Sequence, residues 1–277
     1  MGSEQTEHWQ CAGCAVEFPP GAQPSGQCPI CADERQYFPG GTQRWVRTEE
    51  LIQNGHELTL TPLEPGLTAI SCPEIGIGQS ALLVESTEGN LLFDVPGLIT
   101  DQIIDWLKSR GRLAGIVASH PHMYGVQQQY SQAMEDAPIY IARKDAHWVQ
   151  YSSAAITLWD YEFEVLSGLK LLQIGGHFPG STVACWEAGA DGRGVLLAGD
   201  AIFPVADGNV TFLRSYPNRI PLSAPVVRRL ARSVEPLEFD RLYNNFATCV
   251  QSDAHRIVQF SAERYARWVS GELDHLT

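Results

Sequence analysis

Residues 113–122 read LAGIVASHPH, and the way this stretch ends decides the fold. Its uninterrupted apolar opening predicts a short strand buried on both faces. Pro121 then fixes φ and removes a backbone donor, so the strand is finished when His120 and His122 arrive. Two further apolar runs end on polar side chains of the same kind. LKLLQIGG runs into His177, and GVLLAG runs into Asp200. In α/β sheets the carboxyl ends of strands gather ligands, because backbone groups there lack sheet partners and the loops carry chemistry. His120 and His122 lie two residues apart, a spacing that on extended backbone places both imidazoles on one side. Gly175 and Gly176 permit an unusual turn ahead of His177. Three imidazoles and one carboxylate suit Zn²⁺, Fe²⁺ or Mn²⁺, and imidazole favours the first two.

Outward from these strand ends, elements alternate. ALLVES and GNLLFDV read as a hairpin joined by TEGN, and ITDQIIDWLKSRGR reads as a helix capped by Thr100 or Asp101 and stopped by Gly111. APIYIA, LKLLQIG, STVACWEA and GVLLAG follow as strands, with helices over APVVRRLARSVEP and DAHRIVQFSAERYARWVSG. In the last of these, Ile257, Phe260, Arg264, Tyr265 and Trp268 recur at helical spacing and are expected to contact the core. The pattern predicts an α/β chain, a mixed-sheet sandwich with helices outside.

The first 45 residues differ. Cys11-Ala-Gly-Cys14 and Cys28-Pro-Ile-Cys31 form two C-x2-C knuckles separated by thirteen residues. Each knuckle aims two thiolates at one point, and together they close a tetrahedron around Zn or Fe. So short a segment needs such a staple to fold. Four thiolates leave no open position, so structural metal is the first reading and one-electron transfer through iron the second. The expected organisation is a four-cysteine ribbon over 1–45, a linker over 46–66 and a large domain over 67–277. Cys72, Cys185 and Cys249 read as small buried hydrophobes.

SHPH, then GGHFPGST, then LLAGDAIF resembles the metallo-β-lactamase fold over residues 67–277, an αββα sandwich. His120 and His122 match the first two histidines of that superfamily's H-x-H-x-D-H motif, His177 the histidine of H-x-P-G, and Asp200 its metal-bridging aspartate. Asp94 falls where the superfamily has a structural aspartate. The ribbon resembles the rubredoxin-like module of rubrerythrins, with Trp9, Pro29 and Phe38 around the cysteines; ribbon and SHPH domain together resemble an uncharacterised subgroup. Two motif positions differ, because Tyr124 and Gly125 replace the Asp and third His. A late histidine is also missing near Asn244, Asn245 and Phe246. The resemblance therefore implies one metal, Zn or Fe, held by His120, His122, His177 and Asp200.

Composition narrows the function. Lys+Arg 19 against Asp+Glu 32 gives 19 − 32 = −13, which offers nucleic acid and anionic membrane no basic footprint. No apolar run approaches the roughly 20 residues of a membrane helix. MGSEQTEHWQ lacks signal-peptide regions, and seven cysteines suit a reducing compartment, so a cytoplasmic location is expected. The expected activity is metal-dependent hydrolysis of a small ester, thioester, lactone or amide. Asp200 would take the water's proton, and Tyr124 would either donate to an oxyanion or leaving group or simply pack beside the site. The alternatives are mononuclear non-haem iron redox chemistry with the ribbon as relay, and a non-catalytic metal-stabilised binding protein. The long loop 205–225 offers Arg214, Tyr216 and Arg219 to an anionic substrate group, or else holds ordinary surface arginines.

Overall fold

A computed structural model describes residues 7–277. A seven-stranded sheet runs in the order Thr59–Glu64, Leu67–Ser71, Ser80–Ser86, Gly89–Phe93, Leu113–Val117, Ile139–Ala142 and Ile156–Trp159. Its first four strands pair antiparallel, and the remaining pairings are parallel. The second, six-stranded sheet is Glu162–Leu166, Leu169–Gln173, Thr182–Trp186, Val195–Leu197, Arg241–Tyr243 and Cys249–Val250. Val195–Leu197 and Arg241–Tyr243 form its one parallel pair.

The two-residue period of the strands sorts the core into layers. Leu91 and Phe93 enter the layer between the sheets while Leu92 faces the outer layer; Val195 and Leu197 point inward while Leu196 points outward. Helix Asp101–Arg110 covers the first sheet, and helices Ala224–Val234 and Ala254–Val269 cover the second. The result is the expected αββα sandwich. Thr100 caps its helix by accepting from Ile103 N–H at 3.3 Å. No helix among the described residues is long and apolar enough to cross a membrane.

Three details depart from the sequence reading. Helix Ala254–Val269 turns Ala254, Val258, Ser261, Ala262 and Ala266 to the sheet, while Phe260 and Trp268 are 55% and 44% exposed. The small residues let the helix approach closely, and Ile257 and Tyr265 fill only its flanks. Residues 46–66 are structured. Trp45–Arg47 pairs with Trp9–Cys11, helix Thr48–Gln53 follows, and Thr59–Glu64 is the edge strand of the first sheet. His120 is extended, but Pro121–Met123 closes a 3₁₀ turn, so the His120–His122 pair is set by that turn and not by a strand.

The four-cysteine segment is not an appendage. Cys11, Cys14, Val16, Cys28, Ile30 and Cys31 share one apolar cluster with Ile70, Leu92 and Ile116 of the first sheet. Ala15 packs so closely that a Cβ on Gly97 would stand 2.4 Å from its methyl, and one on Gly76 2.8 Å. Glu17 reaches further, its carboxylate accepting from Gln128 N–H in the first turn of helix Gln127–Ala133. Burial pushes the Glu17 carboxyl up to about 8 against hydrogen bonds from Gln128 and Gln129.

A carboxyl raised in this way costs stability as pH climbs. Below about 4.5 it is protonated in both states; from there to about 8 the unfolded chain releases a proton that the folded chain retains. Glu17→Gln should therefore gain stability relative to wild type between pH 5 and pH 8, on the order of a few kcal/mol. Denaturant unfolding at both pH values checks this, and a pH-independent difference would contradict it.

Candidate metal centre and its cavity

The strand ends do converge. His177 Nε2 lies 3.3 Å from His122 Nδ1, His120 Nε2 lies 3.4 Å from Asp200 Oδ2, and His177 Nε2 lies 3.7 Å from the same oxygen. One ligand atom from each of the four residues falls within 4.8 Å of every other, and all four residues are buried. Donors about 2.0–2.1 Å from a tetrahedral cation would stand roughly 3.3–3.5 Å apart, close to these spacings.

A backbone contact fixes which nitrogen of His177 faces the centre. His177 Nδ1 donates to Leu213 O at 3.2 Å, which leaves Nε2 with its lone pair. His120 Nδ1 meets Ser119 Oγ at 2.9 Å, and Ser119 N–H donates to Asp94 Oδ1 at 2.7 Å. Asp94 thus has a structural place behind the ligands, as the resemblance implies. Burial, reinforced by the charges of neighbouring residues, holds His122 well below its usual range and lowers His177 to about 3, so both rings are neutral. Burial works against the Asp200 carboxylate, but the close approach of His120, 3.4 Å away, together with that of His177, outweighs it and holds the group below its usual range. His120 Nε2 and Asp200 Oδ1 are buried with no hydrogen-bond partner. Orphaned buried polar atoms beside the neutral His122 and His177 rings fit a bound divalent cation.

The cysteines make a second centre. Cys11 Sγ lies 3.7 Å from Cys31 Sγ, and Cys14 Sγ 3.7 Å from Cys28 Sγ. Tetrahedral bonds of 2.3 Å place thiolates about 3.8 Å apart. Gly13 N–H donates to Cys11 Sγ at 3.4 Å, and Gln43 both donates to that sulfur and accepts from Cys28 N–H. Hydrogen bonds from Cys14, Cys28 and Cys31 hold the Cys11 thiol well below its usual range. The donor set fits Zn and Fe equally.

His122, His177 and Asp200 line a cavity of about 560 Å³, and the rest of its wall brings in residues the sequence did not single out. Arg35, only 6% exposed, donates through Nε to His177 O at 2.8 Å and lies 4.1 Å over the Phe178 ring. Phe178 in turn stacks on or abuts all three histidines. Gly13, Gln36, Tyr37 and Pro39 also reach the cavity from the ribbon. No spacing rule connects residue 35 with residue 177, so this contact is visible only in the fold.

Other expected residues lie elsewhere. Tyr124 is buried, its hydroxyl donates to Asp145 O at 3.2 Å, and it does not line the cavity. Tyr216 does line it, donating to Asp200 O at 2.9 Å. Arg214 pairs with Glu34, and Arg219 is not on the wall. Gly125, at φ +47, has no room for a side chain; a Cβ there would stand 2.5 Å from Val95 O. Asn244 and Asn245 are buried, with Asn245 donating to Met123 Sδ.

No family model matches the chain. The uncharacterized protein YmaE of Bacillus subtilis (strain 168) is 39% identical over 272 residues, spanning 97% of this chain and 99% of its own. The chain belongs to the YmaE family. Its fold is that of the metallo-β-lactamases. The solved DIM-1 metallo-β-lactamase superposes at a TM-score of 0.57 with 15% identity, covering 75% of this chain and 98% of that one. FIM-1 from Pseudomonas aeruginosa, in its mono-zinc form, gives 0.56 and 18%, covering 76% and 96%. To that fold this YmaE-family chain adds a four-cysteine cluster at its N-terminal end.

The two fully buried four-residue donor clusters, the cysteines and the His/Asp set, predict about two metal equivalents per chain by elemental analysis. His120→Ala should leave about one with the fold intact, whereas Cys28→Ser should destabilise the whole chain, because Cys28 is core to the first sheet. Equal metal content in wild type and His120→Ala would contradict the assignment.

Proposed function

We propose that this chain is a hydrolase that depends on one bound metal ion and cleaves an ester, thioester, lactone or amide of a small molecule. The observation that carries this reading is the convergence of three imidazoles and Asp200, with His122, His177 and Asp200 on the wall of an accessible cavity. A divalent cation held there supplies a water of lowered pKa, about 7 for zinc, and a Lewis acid for the scissile carbonyl. Support for a single ion comes from Gly125, where no second-site side chain fits, and from the mono-zinc form of FIM-1.

The chain's own groups divide the remaining work. Asp200 is a carboxylate at neutral pH, and its Oδ1 has no partner, so it is the group free to accept a proton. Leu213 O holds the His177 ring in its ligating tautomer, and Ser119 Oγ orients the His120 ring through Nδ1. Tyr216 is engaged with Asp200 O and orients that segment.

A second reading, iron redox chemistry, gains from the ribbon's place beside the cavity, with Gly13 of the first knuckle on its wall. An iron–tetrathiolate ribbon is coloured when oxidised, whereas zinc in both sites gives a colourless protein.

The test is a panel of chromogenic esters, thioesters and lactones presented to the metal-loaded protein. Hydrolysis should fall about 10²–10⁴-fold in Asp200→Asn and His177→Ala, with the circular dichroism of wild type retained. Full activity in His177→Ala, or a red protein inert towards the whole panel, would overturn the proposal.

A further inference from the structure

The cavity's polarity is uneven, and the unevenness comes from the ribbon. Arg35 lies on its wall directly after the second cysteine knuckle, separated from Cys31 only by Ala32, Asp33 and Glu34. Its guanidinium is committed on two sides: Nε donates to His177 O, and Nη1 meets Asp33 at 2.7 Å. Nη2 has no hydrogen-bond partner among the described residues and keeps some accessible surface. It is the open donor of a buried cation that lines the cavity.

That cation is also held still. Ser215 Oγ donates to Arg35 O at 3.0 Å, and Asn218 Nδ2 donates to Glu34 O at 2.8 Å. Arg214 pairs with Glu34 at 2.5 Å, and the Phe178 ring lies under the guanidinium. A fixed guanidinium gives up little side-chain entropy when it binds a second acceptor, and its planar fork suits an oxyanion. Phe203, Phe246, Ile77 and Tyr37 give the same wall apolar surface, with Phe203 and Tyr216 at 4.5 Å between ring centroids.

We infer that the four-cysteine ribbon is the specificity wall of the active-site cavity, and that Arg35 selects substrates carrying a carboxylate beside an apolar body. The inference rests on the metal-centre reading above and names the class of molecule that centre accepts. Asp33 neutralises one edge of the guanidinium and leaves the Nη2 edge, so an incoming carboxylate gains a charge-assisted hydrogen bond. The chain's net charge of −13 repels anions in general and makes the local cation the discriminating feature.

The cobalt-substituted protein offers a readout independent of turnover. Benzyl mercaptan and 4-(mercaptomethyl)benzoate present the same thiol and ring and differ in one carboxylate, and binding of either to an open cobalt site alters its visible spectrum. The wild type should bind the carboxylate thiol about tenfold more tightly than the neutral one. Arg35→Gln should bring that ratio close to one, and Arg35→Lys should retain part of it. A role of Arg35 confined to holding the His177 loop would weaken both thiols together and leave the ratio unchanged, which would overturn the inference. So would a ratio near one in the wild type, which decides the matter even if both variants misfold. If neither thiol perturbs the spectrum, the metal-centre reading itself has failed, and the inference falls with it.

Discussion

Three imidazoles and a carboxylate, buried and only a few ångströms apart, leave polar atoms without a hydrogen-bond partner that a cation between them would satisfy. Much of the design around the site makes sense as support for that arrangement. Ser119, Leu213 and Asp94 take up the outward-facing polar atoms, and Phe178 packs against every ring. The two sheets bring the ends of Leu113–Val117 and Val195–Leu197 to the same edge of the sandwich. The ligands are thereby placed by backbone elements whose own positions are set by apolar burial.

The ribbon extends the same logic. A cluster of four thiols fixes a segment too short to fold alone, and the segment then does two things for the larger domain. It seals part of the first sheet through Ile30, Val16 and Ala15, and it delivers Arg35 to the carbonyl of His177. Glu17 sits at the helix start that follows Gly125, so the ribbon also covers the region where the resemblance would place further ligands. One cluster holds the wall in place, and the other lies beside it.

Much of this was legible in the sequence. Runs such as LAGIVAS and GVLLAG carry strand identity in their continuous apolarity, and what stands after them is polar because the strand has ended. The spacing of the cysteines is similarly self-explanatory. The phase of the last helix was not legible, because Ala and Ser face the sheet there and the large residues sit outward, inverting the usual hydrophobic weighting. Tyr124 was misleading for a related reason: adjacency to His122 in sequence says nothing about which way a side chain turns after a 3₁₀ turn. The stretch 46–66 looked like a connector because its strands are short or lie at an edge, where burial leaves a weak pattern. Arg35 belongs to a contact across 142 residues, beyond any local rule.

The central claim is that a cation is shared by strand ends distant in sequence. Anomalous-difference maps from crystals, collected on both sides of the zinc and iron absorption edges, test it most directly. The account predicts one peak enclosed by Cys11, Cys14, Cys28 and Cys31 and a second bounded by His120 Nε2, His122 Nδ1, His177 Nε2 and Asp200. A fully loaded ribbon with no density among the histidines, at saturating metal, would contradict it.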